Sequence, residues 1–294
     1  MKILCMGEAM VEMAPLDVAG ILQRGFAGDT LNTAWYLKRA QPSWSVDYFT
    51  GVGDDVISEQ MLGFMSDSGI GVDTIVRVPD RTVGLYMIDL KDGERSFSYW
   101  RSTSAARKMA DDPSVLASAF SGYDMIYVSG ITIAVLEGAG LTNLIEALKA
   151  ARANGVKIVF DSNLRPRLWP SNDVMCKAVM AAAECADVVL PSYDDEAEFF
   201  GDVSPEACLQ RYREAGCATV IVKNGPGEIL YCNEGTEGRV CPVPVTEVVD
   251  TTAAGDSFNA GFLGALDQGV EPAILAGSLL AGRVIGGRGA LVEL

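Results

Sequence analysis

The 294-residue sequence contains no histidine. That absence excludes Ser-His-Asp hydrolysis, histidine-ligated zinc and catalysis by a histidine acid or base. Basic residues are also scarce, since 23 Lys and Arg stand against 39 Asp and Glu, for a formal net charge of −16. This excess of negative charge argues against broad electrostatic binding to nucleic acid or to an anionic membrane. A small anionic substrate needs only a local cationic pocket and is still allowed.

Long hydrophobic runs are missing as well. The longest stretch without an acidic or basic residue, 125–136, is too short to cross a bilayer. The first residues offer no hydrophobic core of a signal peptide. The seven cysteines contain no CxxC pair, and scattered reduced thiols are typical of a cytoplasmic protein. We therefore expect a soluble cytoplasmic chain with neither a nucleic-acid nor a membrane partner.

Short β-branched segments alternate with amphipathic segments through most of the chain. The strand-like segments are 3–6, 46–49, 125–128, 156–160, 188–190 and 219–222, and helix-like segments include 30–39, 56–65, 141–153 and 174–184. Strand–helix alternation with continuous apolar strands predicts an α/β fold with a doubly wound, mainly parallel sheet and helices on both faces. No repeat or linker occurs, so we expect a single domain over residues 1–294.

Residues 81–101 interrupt this alternation. Two strand-like segments, 82–90 and 95–101, flank Asp92-Gly93, which is a favourable hairpin turn, and residues 11–15 are suited to a further strand. A small β-sheet inserted into an α/β domain is placed to cover a binding site, and the alternative is an edge hairpin without a role. We predict a lid with segments at about 11–27 and 81–105.

The segment 249–258, VDTTAAGDSF, carries the clearest chemical signal. Small residues lead into an amphipathic helix, so backbone N–H groups can approach an anion, and the helix dipole favours negative charge there. We predict that Asp256 is a base that accepts the proton of an attacking hydroxyl. The amides of Ala253, Ala254 and Gly255 would form an anion hole. The alternative is that Asp256 only caps the helix.

The same segment resembles the C-terminal signature DTxGAGD of the ribokinase-like (PfkB) carbohydrate kinases. Residues 27–32, AGDTLN, resemble the N-terminal signature of that family, at the family's separation of roughly 225 residues. Ala27 and Ala253 stand where the family usually has glycine. The resemblance covers essentially the whole chain and implies a ribokinase-like fold, ATP as phosphoryl donor, Mg²⁺ and, as a further option, a monovalent cation.

Further segments resemble the 2-keto-3-deoxygluconate kinase branch of that family, namely 24–33, 84–86, 98–101, 160–169 and 250–256. In that branch ATP phosphorylates the 6-hydroxyl of 2-dehydro-3-deoxy-D-gluconate, and the product enters the Entner–Doudoroff route. The resemblance implies the substrate-binding residues Gly28, Asp29, Asn32, Tyr86, Tyr99, Arg101, Arg165 and Asp256.

Residue chemistry favours an anionic sugar independently of this resemblance. Tyr99 and Arg101 lie two apart on a predicted strand and so share a face. A hydroxyl and a guanidinium fork together suit a carboxylate. Arg165 follows a predicted strand end, where open α/β sheets bind ligands. The alternatives are a solvated charge at a strand end for Arg101 and a surface loop for Arg165.

The nucleotide side is less distinct, because the sequence has no P-loop motif. The segment 223–228, KNGPGE, resembles the family's K-x-G segment for ATP and would otherwise be only a β-turn. Residues 191–196 stand in place of the family's N-x-x-E motif, but its Asn position reads as Ser192 or Tyr193. The resemblance implies the ATP-binding residues Asn163, Ser192, Lys223, Gly225, Gly227 and Gly255. It also implies an indirect magnesium role for Glu196, whose alternative is a place in the first turn of a helix.

Other functions compete with a sugar-acid kinase. A fructokinase-type enzyme of the same fold is the nearest alternative, and a non-catalytic sugar or nucleotide sensor is a second, against which the intact Asp256 argues. An NAD-dependent oxidoreductase lacks its GxGxxG fingerprint. Because Val83, Leu85 and Tyr86 would leave apolar area on an exposed lid edge, we also expect a homodimer or higher homo-oligomer formed through the lid.

Overall fold

The β-branched segments form the middle of a large sheet, because strands buried on both faces need no polar alternation. The computed structural model describes residues 1–16, 18, 20–91 and 94–294, with no side-chain description at 90, 91, 94 and 95. The predicted turn Asp92-Gly93 lies outside these residues. The strands are β1 (Lys2–Met6), β2 (Met10–Pro15), β3 (Leu22–Ala27), β4 (Ser45–Phe49), β5 (Gly51–Val52), β6 (Val76–Arg77), β7 (Gly84–Lys91), β8 (Glu94–Trp100), β9 (Met125–Ser129), β10 (Lys157–Asp161), β11 (Val188–Val189), β12 (Thr219–Val222), β13 (Ile229–Asn233) and β14 (Thr236–Val240).

Helices occupy most of the segments between these strands. They are α1 (Asp29–Ala40), α2 (Val56–Asp67), α3 (Pro113–Phe120), α4 (Gly130–Val135), α5 (Gly140–Ala153), α6 (Asn172–Ala183), α7 (Tyr193–Phe200), α8 (Pro205–Glu214), α9 (Ala254–Ala265) and α10 (Val270–Val284). Within the described ranges, no helix combines the length and the apolar character that a bilayer crossing requires.

The main sheet has the strand order β14-β13-β12-β11-β10-β9-β1-β4. The pairs from β12 through β4 are parallel, whereas β13 and β14 add an antiparallel edge. One hydrophobic core lies between the sheet and α3, α5, α6 and α8, and a second lies between the sheet and α1, α2, α9 and α10. The predicted doubly wound, mainly parallel sheet with helices on both faces is therefore confirmed.

A second, smaller sheet has the order β3-β2-β7-β8. Its strands fall at the two segments predicted for the lid, and β7 and β8 form the antiparallel pair expected of the hairpin. Along the register Glu12 on β2 stands beside Tyr86 on β7, which in turn stands beside Tyr99 on β8. One face of this lid sheet packs through Met10 and Tyr86 in a small cluster that reaches Ala253, just before α9.

The argument for an exposed apolar lid edge is wrong. Val83 and Tyr86 are only 6% and 8% exposed, and Leu85 is partly buried. Val83 and Leu85 belong to the core that includes α2, whereas Tyr86 belongs to the cluster on the opposite face, so β7 is covered on both faces within one chain. The oligomeric state stays a prediction that these residues no longer support.

Helix α1 begins at a glycine for a steric reason. A Cβ atom placed on Gly28 would lie 2.3 Å from the backbone oxygen of Glu8. Gly28 therefore lets the start of α1 lie directly against the chain that leaves β1. This close approach brings Asp29 and Asn32 to the carboxyl edge of the main sheet, where ligands bind in open α/β folds.

Candidate active site

Helix α9 begins with an uncapped turn of small residues. Ala253, the residue before it, has a φ of 59°, in the left-handed region that favours glycine. Among the described residues no side chain caps the helix. The N–H of Ala254 donates to the carbonyl of Thr251 at 3.2 Å, so the N–H groups of Gly255 and Asp256 are the ones that stay available to an anion. Asp250 secures the preceding loop, since its Oδ2 accepts a 2.6 Å hydrogen bond from the N–H of Gly289. The predicted anion-hole residues Ala253, Ala254 and Gly255 thus form one helix start.

Asp256 lies in the first turn of α9 and is partly buried. Its Oδ2 accepts a 2.8 Å hydrogen bond from Nδ2 of Asn32, and its carbonyl accepts a 3.2 Å bond from the hydroxyl of Thr33. The pKa of Asp256 is raised to about 8, first by burial and next by the negative charge of Asp29. A positioned carboxylate with a pKa near the working pH is suited to accept a proton.

The predicted sugar residue Asp29 contacts the predicted ATP residue Asn163. Nδ2 of Asn163 donates a 2.7 Å hydrogen bond to Oδ2 of Asp29. Burial raises the pKa of Asp29 as well. Its Oδ1 is buried and has no hydrogen-bond partner among the described residues. Because a buried acceptor without a partner is unfavourable, this oxygen is suited to receive a donor from a bound ligand.

The lid sheet brings Tyr86, Tyr99 and Arg101 together on one face, as the strand spacing predicts. The ring centroids of Tyr86 and Tyr99 are 5.9 Å apart, and the guanidinium carbon of Arg101 lies 5.8 Å from the centre of the Tyr99 ring. The hydroxyl of Tyr86 donates to Oε2 of Glu12. Tyr99, by contrast, is 50% exposed.

Arg101 has an ionic partner that sequence reasoning missed. Its guanidinium pairs with Oε2 of Glu8, a residue that is 1% exposed, and the hydroxyl of Ser104 donates to the other Glu8 oxygen. Glu8 lies just after the end of β1. A charged residue at that place was the only sequence feature that could have indicated a partner for Arg101. The pair ties the end of β8 to the main sheet and fixes the direction of the guanidinium fork.

Arg165 lies apart from Arg101. Its side chain is about half exposed, its Nη1 donates a 2.6 Å hydrogen bond to the carbonyl of Leu164, and it stands 3.8 Å from Oδ2 of Asp195. No contact within the described part of the chain joins Arg165 to Arg101 or to Tyr99. The structure therefore does not assemble the two arginines into one contact pair.

The predicted ATP residues other than Asn163 gather around the end of β12. Ser192 and Lys223 pair as an isolated parallel bridge. Gly225 has a φ of 51°, which a side chain would disfavour, and the N–H of Gly227 closes a turn onto the carbonyl of Asn224 at 2.8 Å. A Cβ atom on Gly255 would lie 3.8 Å from Nζ of Lys223, so this cluster adjoins the start of α9.

Lys223 is the buried cation of this edge. Its Nζ donates to Oδ1 of Asp161 at 3.1 Å and to Oδ1 of Asn259 at 3.3 Å. Neither Asp161 nor Asn259 was singled out from the sequence. Asp161 ends β10, and Asn259 stands three positions after Asp256 on α9, a spacing that puts both on one side of a helix.

Glu196 is fully buried at the start of α7 and is already paired. Nη2 of Arg211 donates to its Oε2 at 2.7 Å, and the hydroxyl of Tyr212 donates to its Oε1 at 3.0 Å. Glu196, Asp202 and Cys208 could hold a metal ion by their mutual distances, but the same Arg211 atom also donates to Asp202 at 2.6 Å. Because a guanidinium fills the space between the carboxylates and a thiol is a poor magnesium ligand, these residues do not fit Mg²⁺.

A base at an anion-binding helix start, set at the carboxyl edge of a doubly wound sheet beneath a β-sheet lid, defines a small-molecule phosphotransferase. The family model of the pfkB family carbohydrate kinases matches residues 1–293. The chain belongs to this family.

Individual relatives narrow the comparison. A 2-dehydro-3-deoxygluconokinase of Dickeya dadantii (strain 3937) is 37% identical over 100% of this chain and 97% of its own length. One from Escherichia coli (strain K12) is 36% identical over 99% of this chain and 97% of its own. The crystal structure of a PfkB protein from Polaromonas sp. JS666 superposes with a TM-score of 0.85 at 28% identity, covering 97% of this chain and 96% of that one.

The raised pKa of Asp256 predicts a pH dependence. A base works when deprotonated, so kcat/KM should fall as the pH drops through about 8. Asp29→Asn removes the neighbouring negative charge and should move this midpoint to lower pH. The measurement is kcat/KM from pH 6 to 9 in buffers of constant ionic strength. A flat profile over that range in the wild type would contradict the assignment.

The buried cluster around Glu196 predicts a stability effect. Arg211→Met leaves two carboxylates unpaired in the interior, so the free energy of unfolding should fall by about 3–5 kcal/mol. Arg239→Met is the matched control, because Arg239 pairs with Glu206 and Glu228 at the surface and should change stability by less than about 1 kcal/mol. Denaturant unfolding of both variants makes the comparison, and equal losses would show that the buried pair has no special role.

Proposed function

We propose that this protein transfers the γ-phosphoryl group of ATP to the 6-hydroxyl of 2-dehydro-3-deoxy-D-gluconate, giving 2-dehydro-3-deoxy-6-phospho-D-gluconate. The observation that carries the proposal is the partly buried Asp256, held by Asn32 at the uncapped start of α9. The pfkB family supplies the reaction class, and the relatives at 36–37% identity supply the sugar acid by their name.

The proposed step is an in-line phosphoryl transfer. The sugar O6–H bond breaks and its proton passes to a carboxylate oxygen of Asp256, while a bond forms between O6 and the γ-phosphorus and the bond from that phosphorus to the bridging oxygen of ADP breaks. The amide of Gly255, which makes no hydrogen bond among the described residues, would face the transferred group, and the Lys223 ammonium adjoins it. Fixed donors of this kind stabilise the charge on the phosphoryl oxygens without reorganising.

The sugar acid would lie between α1 and the lid. Asn32 already donates to Asp256 and stands beside the attacking hydroxyl, so it positions base and sugar together. On the lid, the guanidinium of Arg101 lies 5.8 Å from the centre of the half-exposed Tyr99 ring, so both side chains would contact the sugar acid. Glu8 holds one edge of that guanidinium, which leaves its remaining donors for the substrate carboxylate.

The ATP site is proposed at Asn163, Ser192, Lys223, Gly225 and Gly227, at the carboxyl ends of β10, β11 and β12. Mg²⁺ with ATP, and a monovalent cation, stay predictions of the family resemblance. When bound, magnesium would neutralise charge on the phosphates. The indirect magnesium role of Glu196 also stays a prediction of that resemblance; Arg211 and Tyr212 each donate to one of its oxygens.

A fructokinase-type activity is the second candidate. It would use the same base and the same helix start, and it differs only in having a neutral sugar opposite Arg101. Besides the contact with Glu8, Arg101 has a buried Nε donor with no hydrogen-bond partner among the described residues, and this favours the acid because a carboxylate is a stronger acceptor than a sugar hydroxyl.

A substrate screen tests the proposal. Release of ADP should be fastest with 2-dehydro-3-deoxy-D-gluconate and at least tenfold slower, in kcat/KM, with fructose, glucose or ribose. Asp256→Asn keeps the shape of the side chain but removes the proton acceptor, so turnover should fall by roughly 10²- to 10⁴-fold. Faster turnover of fructose would favour the second candidate. If Asp256→Asn kept more than a tenth of wild-type turnover, Asp256 would not be the catalytic base.

The role of Arg101 gives a separate prediction. Arg101→Lys keeps a cation opposite Glu8 but loses the planar fork, so kcat/KM for the sugar acid should fall roughly 10- to 100-fold. A neutral hexose, measured as substrate or as competitive inhibitor, should change less than about threefold. Arg165→Lys is the comparison. Its decrease in kcat/KM for the sugar acid should be smaller, because the Arg165 side chain is half exposed. Equal losses on both sugars would mean that Arg101 organises the lid rather than binding the carboxylate.

A further inference from the structure

Asn259 is a fully buried carboxamide that none of the functional predictions includes. Its Nδ2 donates to Oδ2 of Asp161 at 2.8 Å and to the hydroxyl oxygen of Tyr127 at 2.9 Å. Its Oδ1 accepts from Nζ of Lys223 at 3.3 Å. Because one end of the amide meets a cation and the other meets a carboxylate, a flipped amide would face like-signed partners at both ends.

We propose that Asn259 is a positioning residue that holds the Lys223 ammonium beside the phosphoryl-binding start of α9. This inference rests on the proposed phosphoryl transfer and adds a residue to it. Asp161 binds the same ammonium at 3.1 Å, so the cation is anchored at two points rather than one. A lysine has a flexible four-carbon stem, and a single anchor would leave it several rotamers.

The donor count shows what remains for a ligand. An ammonium group has three N–H donors. Within the part of the chain that the structure describes, the hydrogen bonds of Lys223 Nζ go to Asp161 and Asn259. One donor is left, and a Cβ atom on Gly255 would lie only 3.8 Å from this nitrogen. The spare donor is therefore placed next to the amide of Gly255, to which the proposed step assigns the transferred group.

The position of Asn259 on α9 links the Lys223 ammonium to the proposed base. Asp256 and Asn259 are one helical turn apart, so a single rigid element fixes both the base and the cation. Thr33 links the same elements, since its hydroxyl oxygen lies 3.2 Å from the Asp256 carbonyl oxygen and 3.4 Å from the Tyr127 hydroxyl oxygen. Moving Lys223 away from the start of α9 requires breaking the Asn259 contact.

A double-mutant cycle tests the inference. Asn259→Ala and Lys223→Met should each lower kcat by roughly 10- to 100-fold, with the KM for the sugar within about twofold of wild type. Asn259→Ala placed in the Lys223→Met background should lower kcat by no more than about twofold again, because the residue acts through the lysine. Asn259→Ser, which keeps a hydroxyl donor and acceptor, should recover part of the loss. Losses that multiply in the double variant would overturn the proposal.

A binding measurement tests the role of Asn259 without depending on which sugar is the substrate. By calorimetry, Asn259→Ala should weaken binding of the non-hydrolysable ATP analogue AMPPNP by about tenfold and leave binding of AMP unchanged, with the same non-additivity toward Lys223→Met. This result would stand even if another sugar proved to be the substrate. Equal weakening for AMP and AMPPNP would refute a role at the terminal phosphates.

A matched control separates positioning from general destabilisation. Asn143 on α5 has a partly buried amide that donates to the carbonyl of Ala110 at 2.9 Å, away from the site. Asn143→Ala should lower the thermal midpoint without altering kcat or AMPPNP affinity. If Asn143→Ala reduced both as much as Asn259→Ala does, the Asn259 effect would be structural and the proposal would fail.

Discussion

Each of three aspartates at the active edge accepts a hydrogen bond from a carboxamide. Asn32 donates to Asp256, Asn163 to Asp29 and Asn259 to Asp161, at 2.7–2.8 Å. A carboxamide satisfies a buried carboxylate without adding positive charge, so it lowers the pKa of that acid less than an arginine would. At Asp256, burial and the negative charge of Asp29 therefore outweigh the Asn32 hydrogen bond, and the pKa of this proposed base remains raised. The rest of the site is arranged around three carboxyl groups with one buried lysine.

The charged group of the lid is satisfied differently, because the Arg101 guanidinium forms an ion pair with Glu8, a carboxylate next to the main sheet. Arg101 lies at the end of β8, and Glu8 follows β1, so the ion pair crosses between the two sheets. A buried carboxylate needs such a partner, and the partner in turn fixes where the guanidinium points. A protein with a net charge of −16 can therefore present one directed cation to an anionic sugar while the surrounding charge remains negative.

Local patterns predicted the strands, the lid segments and the chemically active helix start, because each depends on neighbours in sequence. The pairing of side chains did not follow from the sequence. Glu196 matched a motif, yet the structure gives it Arg211, from the next helix, as its partner. Arg101 was predicted to bind the carboxylate of a substrate, yet in the structure it pairs with the carboxylate of Glu8. No local sequence pattern relates Glu8 to the lid. The prediction of a dimer from an exposed lid edge lost its support, because the alternation of residues along β7 does not reveal that both faces of this strand are covered within one chain.

Ala253 connects the lid to the turn that begins α9. Alanine in the left-handed region costs roughly 1–2 kcal/mol relative to a relaxed backbone, a penalty that glycine would avoid. The methyl group packs against the cluster of Met10, Ala27 and Tyr86 on the lid sheet, which glycine could not do. Burial of one methyl group offsets about 0.8 kcal/mol of that penalty. The strained turn proposed as the anion hole is therefore held in part by the lid, so the two halves of the site are in contact even though they lie more than 150 residues apart in the sequence.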